Sequence, residues 1–324
     1  MIAKGLSILA CLALLGAGDV GAQDYPRKPI TVVVPFAAGG PTDTVARLLG
    51  VAMGKSLKTQ LIVENVGGAG GTIGAARVAK APPDGYTILL HNIGLATAPA
   101  LYRKLPYDTV GDFEPIGLVN DVPMTMVARK DFPPNTLQEL IAHVKANKDR
   151  VTYANAGIGG ASHLCGMLFM SAIDTDLTTV PYKGTGPAMN DLLGGQVDFM
   201  CDQTTNTTSQ IKAAKIKVYA VTTKTRVPSL PAIPTMQEAG LPGFEVSVWH
   251  AFYAPKGTPK PAIDRLARAL QEALRDPIVQ QRFADLGAEG VAESRATPEA
   301  LRAHLRAELD KWAPIIKKAG VYAD

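Results

Sequence analysis

Ile30-Thr31-Val32-Val33-Val34-Pro35 runs directly into Phe36-Ala37-Ala38-Gly39-Gly40-Pro41-Thr42-Asp43, and this stretch decides the fold class. The β-branched run reads as a strand buried on both faces, which Pro35 ends. Pro41 suits the first position of a helix with Gly40 as its cap, and Asp43 falls in the first turn. Val45, Leu48, Leu49 and Ala52 then give that helix one apolar stripe. A strand therefore feeds a helix through a loop of small residues.

The unit recurs along the chain. Leu61-Ile62-Val63-Glu64 leads through a glycine run at 67–71 to a helix of small residues at 72–80, and Tyr86-Thr87-Ile88-Leu89-Leu90 is the next strand. Val151-Thr152-Tyr153-Ala154 leads into Asn155-Ala156-Gly157-Ile158-Gly159-Gly160, with Leu164, Met167 and Leu168 following at helical spacing. Residues 178–182 lead into Lys183-Gly184-Thr185-Gly186-Pro187, and Val197-Asp198-Phe199-Met200 runs into a polar stretch at 202–209. Such alternation predicts an α/β protein with mainly parallel sheets covered by helices on both faces. Residues 113–129 and 244–255 are long, strand-rich and not followed by a glycine-turn helix, so they read as two crossings between lobes. The expected division is 23–122 with 246–324 as domain one and 123–245 as domain two. The C-terminal part reads as helices at 262–275, 277–286 and 298–318, the last with Leu301, Leu305, Leu309 and Trp312 on its packing face.

Composition agrees with two ordinary globular units. The chain has 324 residues, 47% hydrophobic and 19% charged, and two domains of this size bury their cores without staples. Its 33 Lys+Arg and 29 Asp+Glu give a net charge of +4, scattered along the sequence, so no nucleic-acid partner is expected. Residues 1–22 read as a secretory signal peptide, with Lys4, an apolar run at 6–15 and Val20-Gly21-Ala22 at the cleavage site. Cys11 lies inside the apolar run, which argues against a lipid anchor there. No later stretch reaches the roughly 20 apolar residues of a membrane span.

Sites with obvious chemistry are missing. Gly54-Lys55-Ser56 lacks the upstream glycine of a phosphate loop and follows a helix, and Gly68-Ala69-Gly70-Gly71-Thr72-Ile73 lacks the third glycine of a dinucleotide fingerprint. Ser162 and His163 sit in no nucleophile elbow, and His163, Cys165 and Cys201 match no zinc spacing. No catalytic residue, metal or cofactor is therefore expected. What remains is a set of loops at strand ends, each followed at once by a helix start, where free backbone N–H groups and helix dipoles bind anions. The first comprises Phe36, Ala37, Gly39, Gly40, Thr42 and Asp43. The second comprises Ala156, Gly157, Gly159, Gly160, Ala161, Ser162 and His163. The candidate ligand set is completed by Lys183, Gly184 and Thr185, by Asp202, and by His91 with Asn92 at a strand tip, where His91 reads first as structural. Cys165 and Cys201 map to one edge of domain two. They either pair or stand as two buried small residues, and a bridge is the expectation adopted.

These segments also resemble a known family. Tyr25-Pro26-Arg27-Lys28-Pro29-Ile30, the 35–43 loop, Val63-Glu64-Asn65 with its glycine run, Pro83-Asp84-Gly85-Tyr86-Thr87, the 153–164 stretch, Val180-Pro181-Tyr182-Lys183-Gly184 and Gly194-Gly195-Gln196-Val197-Asp198 resemble the Bug family in order and over the whole mature chain. These are extracytoplasmic solute receptors of tripartite tricarboxylate transporters. The resemblance implies a type II periplasmic-binding-protein fold whose two lobes close on a small carboxylate, held by the 36–43 and 155–163 loops from opposite sides, partly through water. It also implies a periplasmic location, membrane permease subunits as partners and a monomeric receptor. Family ligands include acidic amino acids, citrate-like acids and nicotinate-like acids. Asp43 either caps its own helix or accepts a hydrogen bond from a ligand ammonium group, and the second option makes aspartate or glutamate the first expectation. The competing classes are an exported enzyme with His163 as general base, and a ligand-sensing partner of a signalling system.

Overall fold

The computed structural model describes residues 25–320 together with 322 and 323; the expected leader and Cys11 lie outside them. In chain order the elements are β1 (Ile30–Val34), α1 (Pro41–Leu57), β2 (Leu61–Asn65), α2 (Thr72–Ala79), β3 (Thr87–Asn92), α3 (Gly94–Leu101) and β4 (Phe113–Arg129). There follow α4 (Leu137–Ala146), β5 (Thr152–Asn155), α5 (Ala161–Ile173), β6 (Thr178–Pro181), α6 (Thr185–Leu193), β7 (Phe199–Gln203), α7 (Thr204–Lys212) and β8 (Ile216–Val221). The chain ends with β9 (Ser247–Pro255), α8 (Lys260–Arg275), α9 (Pro277–Asp285), β10 (Glu289–Gly290) and α10 (Pro298–Ala319).

The strands form two sets, and β4 belongs to both. β1 lies parallel to β2 and β3, and β9 runs antiparallel to β3 and to β4 from Phe113 to Pro123. β5 lies parallel to β6 and β7, and β7 and β8 pair antiparallel with β4 from Met124 to Arg129. One long strand thus carries the chain from the first lobe into the second, and the chain re-enters the first lobe at Ser247, opposite Pro123. The apolar run of β1 is buried as its composition requires, with Val32, Val33 and Val34 each fully enclosed. In α2, Gly74 packs onto the end of β1 so closely that a Cβ there would lie 2.7 Å from the Pro35 ring.

Two local features depart from the sequence reading. The polar stretch at 202–209 is not a connector: Asp202 and Gln203 complete β7, and the threonine-rich segment after them is helix α7. Threonine is a poor helix former, but here tertiary hydrogen bonds dock the helix. Thr204 and Thr208 hydroxyls donate to the carbonyls of Gly287 and Leu286 at 3.0 and 3.1 Å, and Thr207 meets Thr125 at 2.8 Å. Helix α3, which contains Pro99, has no sequence signature of its own and forms where it packs against α10.

Candidate ligand site

Three helices begin at one place between the lobes. α1 of the first lobe and α5 and α6 of the second start at Gly40, Gly160 and Gly184, and none has a side chain capping its first N–H groups. The starts of α1 and α6 nearly touch, since a Cβ on Gly40 would lie 3.3 Å from the Gly186 nitrogen. Between them is a small cavity lined by Phe36, Pro41, Thr42 and Asn92 from one lobe and by Ala156, Ala161, Ser162, Thr185, Asp202 and Gln203 from the other. No lysine or arginine lines it. Unpaired helix N-termini supply partial positive charge and donors, so the cavity suits an anion without offering it a counter-charge.

The lobes are in contact around this cavity. The Ala37 N–H donates to the Lys183 carbonyl at 2.8 Å, the Tyr102 hydroxyl donates to the Ile158 carbonyl at 2.7 Å, and the Thr97 hydroxyl donates to the Gly159 carbonyl at 3.3 Å. Gly70, in the turn before α2, faces Ile158 so tightly that a Cβ would sit 2.0 Å from its carbonyl oxygen. This is a closed arrangement, made mostly by backbone groups.

The individual side chains sort into several roles. Asp43 does not face the cavity as a receptor for an ammonium group. Its Oδ2 accepts from the Gly39 N–H at 3.0 Å and Arg47 Nε at 2.9 Å, and its Oδ1 accepts from Asn65 Nδ2 at 3.0 Å. Burial alone would raise its pKa, but these donors hold it below the ordinary carboxylate value. Asp43 therefore serves its own loop, and the observation that favoured an amino-acid ligand falls away at this residue. Lys183 is exposed and contributes its carbonyl to the closed lips, not its ammonium to the cavity. Gly40 and Gly160 have ordinary φ values of −88° and −69°. A Cβ at Gly40 would crowd the Gly186 nitrogen at 3.3 Å, and at Gly160 a Cβ would meet Ala156 Cβ at 3.0 Å. Positive φ belongs instead to Gly39, Gly157, Gly159 and Gly184.

His91 lies behind Phe36, edge-on to its ring, and its Nδ1 accepts from the Asn92 N–H at 2.8 Å. Asn92 Oδ1 accepts from the Gly94 N–H at 2.9 Å, and its Nδ2 reaches Thr42 Oγ1 at 3.5 Å. His163 is buried with Nδ1 against the Gly159 N–H at 3.4 Å and does not line the cavity. Ser162 Oγ accepts from the Ala156 N–H at 2.7 Å, fixing the second loop. The disulfide joins Cys165 in α5 to Cys201 in β7, with Cα atoms 6.1 Å apart. Sequence reasoning missed Gln203, which ends a strand that reads as stopping earlier. It also missed His250 on β9, whose ring bridges Thr42 Oγ1 at 3.2 Å and Asn120 Oδ1 at 2.8 Å. Nothing in the linear pattern connects residue 250 with residue 42; the pairing of β9 with β3 does.

The buried ionisable groups predict a pH dependence of stability. Burial lowers His91 and His163 to about 4 and His250 to about 3, so all three are neutral in the folded protein. The unfolded chain takes up their protons near the ordinary histidine value of 6.5, so their stability contribution is full above that pH and is lost as pH falls toward 4. Asp202 opposes this trend: burial raises it to about 6, a cost above its unfolded value that is relieved as pH falls through 6. With three groups against one, stability should drop by about 2 kcal/mol between pH of roughly 7 and roughly 6. Urea unfolding at the two pH values measures this, and a rise in stability on acidification would show the assignment to be wrong.

The family described as tripartite tricarboxylate transporter family receptor matches residues 45–321. The chain belongs to this receptor family. An Agrobacterium vitis protein from the TAR-I ttuE-ttuC' intergenic region is 55% identical over 300 residues, covering 92% of this chain and 87% of its own. The periplasmic binding protein BugD superposes with a TM-score of 0.90 at 57% identity, over 92% of this chain and 99% of that one. MatC of Rhodopseudomonas palustris, solved with bound malate, superposes with a TM-score of 0.87 at 41% identity over 90% and 100%. The architecture is thus the two-lobed periplasmic-binding-protein fold of Bug-type receptors.

Proposed function

We propose that this receptor is exported to the periplasm, closes 23–122 with 246–324 onto 123–245 around a small dicarboxylate, and presents the closed form as a monomer to the permease subunits of a tripartite tricarboxylate transporter. The observation that carries this reading is the meeting of three helix starts without capping side chains around an interlobe cavity devoid of Lys and Arg. A carboxylate there accepts backbone hydrogen bonds from both lobes, and bonds to a charged group contribute about 1.5–3 kcal/mol each. Closure and binding are thereby one event. The malate bound in MatC, which shares the fold at 41% identity, supports a dicarboxylate. The enzyme alternative requires His163 at the ligand, whereas His163 is tucked against Gly159.

Calorimetric titration with succinate, malate, aspartate, citrate and adipate tests the reading. At least one should bind, be recovered chemically unchanged, and lose about 100-fold in affinity when one carboxylate is amidated. Binding indifferent to amidation, or no heat with any of these acids, would overturn it.

A further inference from the structure

Oxygen acceptors without partners sit at one side of the cavity. Asp202 and Gln203, the last two residues of β7, are 1% and 3% exposed and both line it. Asp202 Oδ2 accepts from Asn206 Nδ2 at 2.6 Å, but Asp202 Oδ1 and Gln203 Oε1 have no hydrogen-bond partner among the described residues. Buried acceptors left unpaired are costly, and a carboxylate oxygen especially so. The rest of β7 is firmly placed. The Asp202 carbonyl accepts from the Thr125 hydroxyl at 3.1 Å, the Gln203 carbonyl accepts from Thr207 at 3.3 Å, and Cys201 is held by the disulfide. The backbone that carries these side chains is therefore fixed by its strand and by the helix that follows it.

An acceptor pair of this kind has a specific meaning in an anion site. A ligand carboxylate set directly against Asp202 would be repelled, so the carboxylates belong at the helix starts and a different group belongs at Asp202. From this geometry we infer that Asp202 and Gln203 select a ligand bearing an O–H or N–H donor between its carboxylates, a hydroxy- or amino-dicarboxylate in preference to a plain one. This rests on the carboxylate-receptor reading above and narrows it. The acceptor role first considered for Asp43 passes to a residue on the opposite lobe.

Succinate, malate and aspartate share one four-carbon chain and differ only in the substituent at its second carbon, so they isolate the effect. Titrated against the wild-type receptor, malate or aspartate should bind about 10- to 100-fold more tightly than succinate. Which of the two wins identifies the donor as hydroxyl or ammonium. In Asp202→Asn that preference should shrink at least severalfold while succinate affinity holds or improves, because the repelling charge has gone. Equal wild-type affinity for all three acids would overturn the inference while leaving the carboxylate receptor intact. Failure of all three together with citrate and adipate would instead defeat the receptor reading. The wild-type comparison stands even if the variant does not fold.

Discussion

A Gly70→Ala variant should fold normally and yet bind its ligand at least about 100-fold more weakly. In the closed protein the added Cβ would lie 2.0 Å from the Ile158 carbonyl oxygen and 3.1 Å from the Gly160 nitrogen, and both are backbone atoms of the opposite lobe. Neither can yield without moving the loop that starts α5. The lobes would therefore be held apart, and the ligand would lose the donors of α5 and α6. Two charge-assisted hydrogen bonds at about 1.5 kcal/mol each already account for a loss of roughly 100-fold. Gly70 also has φ of +60°, which costs an alanine about 1–2 kcal/mol of strain in either state. Gly243→Ala supplies the control, because Gly243 has φ of +76° with nothing within 4 Å of a Cβ. Small-angle scattering with and without ligand reads the outcome. A Gly70→Ala protein that compacts and binds like wild type would show that the close approach does not limit closure.

Replacing Cys165 and Cys201 together by alanine should lower stability by about 4 kcal/mol, the loop-closure value for a sequence separation of 36. In a chain of this size that corresponds to roughly 6 °C in melting temperature. The bridge ties the first half of α5 to β7, and the same junction is laced by Tyr153, whose hydroxyl donates to the Ser162 carbonyl and accepts from the Cys201 N–H. Because Ser162 and Asp202 flank the two cysteines and both line the cavity, loosening the bridge should also weaken ligand binding, by less than the Gly70 change. Thermal unfolding with and without reductant measures the first effect. Identical midpoints for the oxidised, reduced and double-alanine proteins would mean that the crosslink contributes nothing.

The strand-loop-helix order was readable in the residues because it rests on local chemistry. Ile30 to Val34 can only be a strand enclosed on both faces, and Gly40-Pro41 can only start a helix with its first N–H groups open. The two anion loops followed from the same reasoning, since a helix start of small residues needs no partner elsewhere in the chain to expose its donors. Long-range pairing was not readable in this way. The closing contacts of Gly70 with Ile158 and of Ala37 with Lys183 depend on how the lobes meet. The buried bridge from Thr42 through His250 to Asn120 depends on β9 lying between β3 and β4. Asp43 shows the limit most clearly: its position beside an anion loop was evident from sequence, but its partners Arg47 and Asn65 were not. Local sequence determined which groups this protein offers to a ligand, because propensity and capping act over a few residues. Tertiary structure alone decided which of those groups still lack a partner, because the partner of a buried polar atom is chosen by packing between segments far apart in the chain.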